Sequence, residues 1–498
     1  MISVELNKKV RHGTKWSFIA EVSSKLMIPI TTMVLARILT PEMFGIVTTI
    51  VMIISFAEMI ADSGFQKFLV QREFFTIEEK EECTNVAFWT NLFIAFTMWG
   101  LIVIFSEQLA SLVGNPGFGH VISIAGISLP LTAFSSIQMA LLKRDFDFKS
   151  IFYVRLIGDF IPIFITIPLA FIFNNYWALI IGTIATNISN VIIFTIRSKW
   201  KPKLLYDFKV LKKMFSFSSW SLVEEITIWS TLYIGTFLVS SFLSLYYLGI
   251  YRNSMGIVNQ IMAIIAGATM PIVFSTLSRL QDQPGKIIYV FLKFQRLVAI
   301  FVLPLGVGIF MYRDILTYLL LGNQWNEASE FIGLWGLMSS LTIVFGYLSS
   351  ELYRALGKPK LSVLAQVLYL LFLIPVLIIT SQISFSALYI ARSLLIVVSI
   401  FIDMFFVWFA IKINPIKLLS NVFPLIISSC LMGLFAFGLR QLSQNIYLVI
   451  VSIVLCIIFY FSIIMIFKNI RHELIKVIKP FLKLDIKVFN RSKTLEKN

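Results

Sequence analysis

Charged residues are scarce in this sequence of 498 residues: Asp, Glu, Lys and Arg make up 14%, against 58% hydrophobic residues. Soluble domains carry about a quarter of charged residues, so an ordinary soluble fold is excluded. The apolar residues fall in blocks of about 20, the length that an α-helix needs to cross a bilayer. A membrane β-barrel would instead show short segments of alternating hydrophobicity. We therefore predict an all-α integral membrane protein with about 14 transmembrane helices.

Histidine and cysteine are rare as well, with three of each. Cys83, Cys430 and Cys456 lack CxxC spacing, which favours a role in packing, and no His, Cys and carboxylate cluster has the spacing of metal ligands. The phosphate-binding pattern GxxxxGK[ST] is missing too. We predict no catalytic residue, no metal site and no cofactor. A transporter without its own ATPase is the function class that remains.

The positive charges lie on alternate sides of the predicted helices. Of the 42 Lys and Arg residues, 36 fall in segments that share one side if the N-terminus is inside. Since positive loops stay cytoplasmic, both termini are predicted to be cytoplasmic in a multi-pass protein of the bacterial inner membrane, without a cleaved signal. The net charge of +16 thus favours anionic membrane lipids as partners, and no nucleic acid.

An internal repeat divides the chain. Residues 39–46 (LTPEMFGI) align with residues 243–250 (LSLYYLGI), each between two helices. An even number of helices per repeat gives two lobes of the same orientation, a parallel repeat. The predicted divisions are an N-lobe of helices 1–6, a C-lobe of helices 7–12, helices 13 and 14, and a basic cytoplasmic tail, over residues 1–200, 201–411, 412–468 and 469–498.

Polar side chains within predicted membrane helices are candidates for function, because a charge in hydrocarbon is costly. They concentrate on helices 1, 2, 7 and 8, which are equivalent pairs under the repeat. The candidates are Glu21, Lys25, Glu58, Asp62, Glu224, Glu225, Arg252, Asn253, Asn259 and Gln260. One alternative stays open, because Glu21 and Lys25 are spaced to neutralise each other on one helix face. Pro29, beside this stripe, is a candidate hinge.

Four motifs carry a resemblance to a known family. They are residues 35–45 (LARILTPEMFG), 62–65 (DSGF), 69–72 (LVQR) and 321–325 (LGNQW). In this topology they resemble the polysaccharide flippase family, which exports O-antigen, capsule or exopolysaccharide units, within the multidrug/oligosaccharidyl-lipid/polysaccharide superfamily. The resemblance implies that an oligosaccharide linked to undecaprenyl diphosphate is turned from the cytoplasmic to the outer leaflet by alternating access. It also implies that helices 1, 2, 7 and 8 line a central cavity.

The candidate residues then divide into two roles. Lys25 and Arg252 attract anionic substrate groups, together with the three amides of helix 8. The five carboxylates bind the protons or sodium ions that drive the cycle. Polysaccharide polymerase or assembly proteins are expected partners. The alternatives are a cation-coupled multidrug exporter of the same superfamily and a membrane glycan polymerase, although such an enzyme needs a larger outer loop.

Overall fold

The computed structural model describes residues 27–62, 64–442, 446–468 and 470–474, and every regular element in these residues is helical. The helices are α1 (Met27–Ile38), α2 (Pro41–Asp62), α3 (Phe65–Gln71), α4 (Ile77–Ile104), α5 (Ser106–Leu112), α6 (Gly119–Ala125), α7 (Ser128–Arg144), α8 (Phe148–Ile161), α9 (Ile167–Phe173), α10 (Trp177–Arg197), α11 (Phe208–Phe242), α12 (Leu245–Ser278), α13 (Pro284–Met311), α14 (Arg313–Leu320), α15 (Ala328–Thr342), α16 (Leu348–Ala355), α17 (Lys360–Ser381), α18 (Phe385–Ile411), α19 (Pro415–Leu442) and α20 (Ile446–Ile464). Two π-helical turns, Pro162–Thr166 and Ile343–Tyr347, continue α8 into α9 and α15 into α16.

Several helix boundaries follow from local chemistry. α2 begins at Pro41, where a missing N–H costs nothing. α4 begins after Thr76, whose hydroxyl accepts a hydrogen bond from the Glu79 N–H at 3.0 Å. After α16, Gly357 adopts φ 67°, a left-handed conformation that favours glycine.

Eleven helical segments in the described residues are long and apolar enough to cross a membrane, and a bent pair within α12, Leu245–Gly267 and Thr269–Ser278, adds a twelfth. The prediction of an all-helical, multi-pass membrane protein is confirmed. The sequence places the first and seventh helices at about residues 14–38 and 216–242; α1 lies within the first range and α11 contains the second. The total of fourteen and the side on which each terminus lies stay predictions.

The described residues form two compact units. The first contains the residues up to Gln260, together with Thr317–Ser329 and Leu370–Arg392. The second contains Ile261–Leu316, Glu330–Tyr369 and the residues from Ser393 onward. The division into two six-helix lobes and two additional helices stays a prediction.

Two hydrophobic clusters form the core of the first unit. One gathers α2 around Ile50, which is 1% exposed, with α4, α6 and α7. The other surrounds Phe65 and Phe88, both fully buried, and joins α3, α4 and α7. Arg144 holds the end of α3, since it donates to Leu69 O at 2.7 Å and Arg72 O at 2.5 Å. α2, α3, α4 and α7 are thereby fixed around one volume.

The second unit is held by α13, α19 and α20. Tyr460, which is buried, donates its hydroxyl to Ile300 O at 2.9 Å. Arg296 binds both oxygens of Glu473, at 2.6 and 3.2 Å, and donates to Asn421 at 2.6 Å. Planar guanidinium and carboxylate groups match in this bidentate geometry, which fixes the chain after α20 against α13.

Within the first unit, the two copies of the repeated motif touch each other. A Cβ added to Gly45 would lie 2.9 Å from the carbonyl carbon of Leu245, and one added to Gly249 would lie 2.6 Å from that of Pro41. Both contacts pair the same two positions of the motif copies. Only glycine permits this approach of two helix backbones.

The LGNQW motif secures the end of α1. The indole of Trp325, fully buried, donates to Ala36 O at 2.7 Å, and Gln324 donates to Leu39 O at 2.9 Å. In return, Arg37 donates to Leu319 O at 2.8 Å. The motif thus satisfies the free carbonyls at a helix C-terminus.

Candidate functional site

A cavity of about 290 Å³ lies in the first unit between α2, α3, α4, α7 and α11. Its carboxylates are Glu58 and Asp62 on α2 and Glu225 on α11. The remaining lining residues are Ser55, Met59, Ala61, Gln66, Asn91, Leu129, Thr132, Ala133 and Ser136. Three of the five predicted carboxylates therefore meet at one cavity, and eight of its twelve lining residues have polar side chains.

The carboxylates have few neutralising partners. Thr132 and Gln66 line the same cavity as Glu58 and Asp62. The buried Oδ1 atom of Asp62 has no hydrogen-bond partner in the described part of the chain. Glu225 forms an ion pair with Lys67 at 3.2 Å. Lys143 also interacts electrostatically with Asp62. Among the described residues, these three carboxylates still outnumber the two ammonium groups, which gives an acidic lining.

The cavity carboxylates do not form a metal-ligand cluster with other described residues. Among the residues that the structure describes, no group of three His, Cys, Asp or Glu side chains converges as metal ligands do. The partly neutral surroundings of hydroxyls and amides suit a weakly held ion instead. That these carboxylates bind a coupling ion stays a prediction.

Arg252 is the predicted cation whose side chain the structure describes, and it is half-buried. Its guanidinium lies over the ring of Tyr233, with Cζ 5.1 Å from the centroid. In the described part of the chain, no carboxylate lies within 4 Å of it. Because a ring face attracts the cation without accepting its N–H groups in the guanidinium plane, those donors stay available.

The three amides of α12 differ from one another. Asn253 donates to Gly249 O at 3.1 Å, so this group is used within its own helix. Asn259 has contacts of its own, and the buried Oε1 atom of Gln260 lacks a hydrogen-bond partner among the described residues. Of the three, Gln260 keeps an acceptor available.

Four predicted site residues are not among the side chains described above. Glu21 and Lys25 lie outside the described residues. Glu224 belongs to α11, but its side chain is not among those described. Pro29 is half-buried in α1. The roles of these residues and of the whole predicted set stay predictions.

Sequence reasoning missed an aromatic row beside the cavity. Trp229 and Tyr233 stack at 5.2 Å with an interplanar angle of 28°, and Phe56 of α2 lies 4.9 Å from Trp229. Glu225, Trp229 and Tyr233 are spaced at i, i+4 and i+8, which places them on one face of α11. That spacing was the available signal.

Comparison with known proteins places the chain. One family profile, described as polysaccharide biosynthesis protein, matches residues 34–330, more than half of the sequence. The chain belongs to this family. The matched region includes α2 and α11 with the acidic cavity, the aromatic row and Arg252. The predicted family resemblance is confirmed.

The names of curated relatives also refer to polysaccharide biosynthesis. The succinoglycan biosynthesis transport protein ExoT of Rhizobium meliloti is 23% identical over 67% of this chain and 67% of its own length. The lipopolysaccharide biosynthesis protein WzxC of Escherichia coli is 20% identical over 76% of each chain. The prediction of a membrane transporter in polysaccharide biosynthesis, rather than an enzyme, is confirmed, as is its placement in the inner membrane.

Solved structures share the fold. The lipid II flippase MurJ in an inward closed conformation matches with a TM-score of 0.69 and 17% identity, over 91% of this chain and 98% of that chain. An inward-facing multidrug resistance transporter of the MATE family matches with a TM-score of 0.60 and 12% identity, over 79% and 98%. At these identities the likeness concerns the fold alone.

Proposed function

We propose that the chain turns an oligosaccharide on an undecaprenyl diphosphate carrier from the cytoplasmic to the outer leaflet by alternating access. The observation that carries the proposal is the half-buried guanidinium of Arg252, inside a membrane helix and held by an aromatic ring. A buried cation with its donors available is costly unless an anionic ligand uses it. The transport relatives in succinoglycan and lipopolysaccharide biosynthesis support a saccharide cargo.

Two kinds of polar group divide the work. Arg252, with Lys25 and the amides of Asn253, Asn259 and Gln260, binds the diphosphate or acidic sugars. Glu58, Asp62 and Glu225, with Glu21 and Glu224, bind the protons or sodium ions that drive the cycle. A cation bound among three carboxylates removes their mutual repulsion and so biases the helices that carry them.

The finer architecture belongs to the same proposal. We expect fourteen helices in two six-helix lobes with two additional helices, both termini cytoplasmic, and Pro29 as a hinge. Anionic lipids contact the basic loops, and polymerase or assembly proteins receive the flipped unit. The described helices and the positive charges of their connecting loops support this arrangement.

Deletion of the gene in its own host tests the function. We expect lipid-linked repeat units to accumulate on the cytoplasmic leaflet, and wild-type protein but not Arg252→Gln to restore export at equal protein level. Arg279→Gln, which changes an exposed arginine, serves as the matched control. Single units accumulating on the outer leaflet would instead indicate a polymerase.

The acidic cavity favours a second candidate, a cation-coupled multidrug exporter. Amphipathic cations are attracted by carboxylates such as those of Glu58 and Asp62. A panel of cationic drugs on the deletion strain separates the two functions. Hypersensitivity to these drugs with unchanged polysaccharide export would replace the first proposal by the second.

A further inference from the structure

The aromatic row consists of Phe56, Trp229 and Tyr233. Together with Arg252, which lies over Tyr233, it joins three helices in the first unit. Phe56 lies on α2, Trp229 and Tyr233 on α11, and the guanidinium over Tyr233 belongs to Arg252 of α12. These side chains are only half-buried or exposed, Phe56 at 41%. A core contact would be closed from every side, whereas this row remains accessible.

A hydrogen bond fixes Trp229, the central ring of the row. The indole Nε1–H of Trp229 donates to the hydroxyl of Ser55 at 3.0 Å, and that hydroxyl donates to Met52 O at 2.9 Å. An indole that is held by a hydrogen bond and packed between two rings has little rotational freedom. Its position determines that of Tyr233, because the two rings stack.

Next to Tyr233, the row is followed by a cation, the guanidinium of Arg252. A carboxylate partner would neutralise Arg252 and use its N–H groups, whereas the face of Tyr233 attracts the guanidinium and leaves the in-plane donors available. A planar fork of donors matches two oxygens of a phosphate or a carboxylate. The orientation of this fork depends on the ring beneath it.

We propose that Trp229 and Tyr233 are positioning residues that orient the Arg252 guanidinium toward an anionic group of the substrate, a diphosphate or an acidic sugar. This inference rests on the proposed function, since it assumes that Arg252 contacts substrate. Trp229 acts through Tyr233, and Tyr233 acts through Arg252. The guanidinium is thereby already ordered before the ligand binds, so binding loses less side-chain entropy.

The row also connects the two halves of the site. Glu225, at the acidic cavity, and Tyr233 are separated by two turns on one face of α11, which is about 12 Å along the helix. The cation site and the anion-binding Arg252 are therefore close but separate. One rigid row of α11 spans them.

Binding of farnesyl diphosphate to the purified full-length protein tests the proposal, with farnesol as the uncharged probe. Loss of a cation–π contact corresponds to an effect between about 2-fold and about 30-fold. We expect Tyr233→Leu to weaken diphosphate binding within that range and to leave farnesol binding unchanged. Tyr233→Phe, which keeps the ring, restores most of the affinity. Tyr289→Leu on the exposed face of α13 is the control for loss of a tyrosine.

A double-mutant cycle distinguishes positioning from a general structural effect. In the Arg252→Gln background, Tyr233→Leu is expected to cause no further loss, because the group that it orients is absent. An equal loss in both backgrounds would overturn the positioning role. If Arg252→Gln itself binds the diphosphate as tightly as the wild type, the substrate role of Arg252 fails first, and the two failures are thereby distinguishable.

Discussion

The contact between the two motif copies yields a sharp prediction about the transport cycle. In this structure, Gly249 of α12 lies against the backbone of Pro41, at the start of α2. Under the proposed topology this is the outer end of both helices. We predict that Gly249→Ala destabilises the conformation in which that end is closed.

The size of the effect follows from the geometry. The added Cβ would lie 2.6 Å from the carbonyl carbon of Pro41, and backbone atoms cannot rotate away as a side chain can. Carbon atoms make favourable contacts at about 3.5 Å or more, so the helices must separate by about 1 Å. Overpacking of this kind costs about 1–3 kcal/mol. The closed state then loses between about 5-fold and about 150-fold in population against the open one.

Gly256→Ala is the matched control. Gly256 lies on the same helix, and a Cβ added there meets no atom within 4 Å. Both substitutions raise helix propensity by about 1 kcal/mol, so that contribution cancels in the comparison. The difference between the two variants isolates the contact with Pro41.

Labelling of a single cysteine measures the opening. Ala36→Cys places a small thiol at a position that is fully buried at the end of α1, in a background without Cys83, Cys430 and Cys456. In intact cells, a membrane-impermeant maleimide reacts in proportion to the open population. We expect Gly249→Ala to raise the labelling rate between about 5-fold and about 150-fold above Gly256→Ala. Equal rates in the two variants would refute the reasoning.

Three further predictions concern single side chains. In proteoliposomes, Glu225→Gln is expected to reduce the dependence of transport on a proton or sodium gradient, whereas the exposed Glu78→Gln leaves it intact. Arg144→Lys is expected to lower the stability of the protein in detergent by about 1–3 kcal/mol, since it removes the Nη1 that donates to the carbonyls of Leu69 and Arg72 and the guanidinium that lies over the Phe74 ring. The exposed Arg279→Lys should show no loss in the same thermal melt. Trp325→Phe removes one hydrogen bond to a carbonyl of α1, at a cost of about 1 kcal/mol, measured as a lower melting temperature.

Much of the fold was accessible from the sequence because a bilayer imposes simple rules. Apolar length and positive loops predicted a multi-pass helical protein. The π-helical turn at Ile343–Tyr347 was not predictable, since it contains no proline and no interruption of hydrophobicity. Such turns depend on how neighbouring helices pack.

The candidate site was predictable only in part. Glu58 and Asp62 are one turn apart on α2, so their shared face follows from helical spacing. That Glu225 meets them depends on how α11 packs against α2, which no local pattern encodes. Trp229 and Tyr233 escaped notice because an aromatic residue in a membrane helix faces lipid as readily as protein. Their spacing from Glu225 indicates a shared face but not which face.

α2 connects the contact with α12 at Pro41 to the acidic cavity at Asp62. Its only proline, Pro41, and its only glycine, Gly45, lie in its first turns, so the helix continues without a natural kink for about 26 Å to Asp62. Under the proposed coupling, a cation at Asp62 would remove repulsion among the carboxylates and let α2 and α11 approach at the cavity. A rigid α2 that pivots in this way separates from α12 at its opposite end.

This coupling has a direct test with the Ala36→Cys reporter. We expect sodium ions or acid to raise the labelling rate of the otherwise unmodified transporter by about 5-fold or more, the smallest effect of a typical coupling energy. Asp62→Asn, which is neutral without a cation, should label at a high rate in either condition, whereas Glu78→Gln should respond as the parent does. If Asp62→Asn keeps the full response, the cation acts elsewhere and α2 does not transmit it. A transport cycle requires a structural element with two arrangements, and in this proposal α2 is that element: the cation at Asp62 and the contact with α12 each favour one of its arrangements.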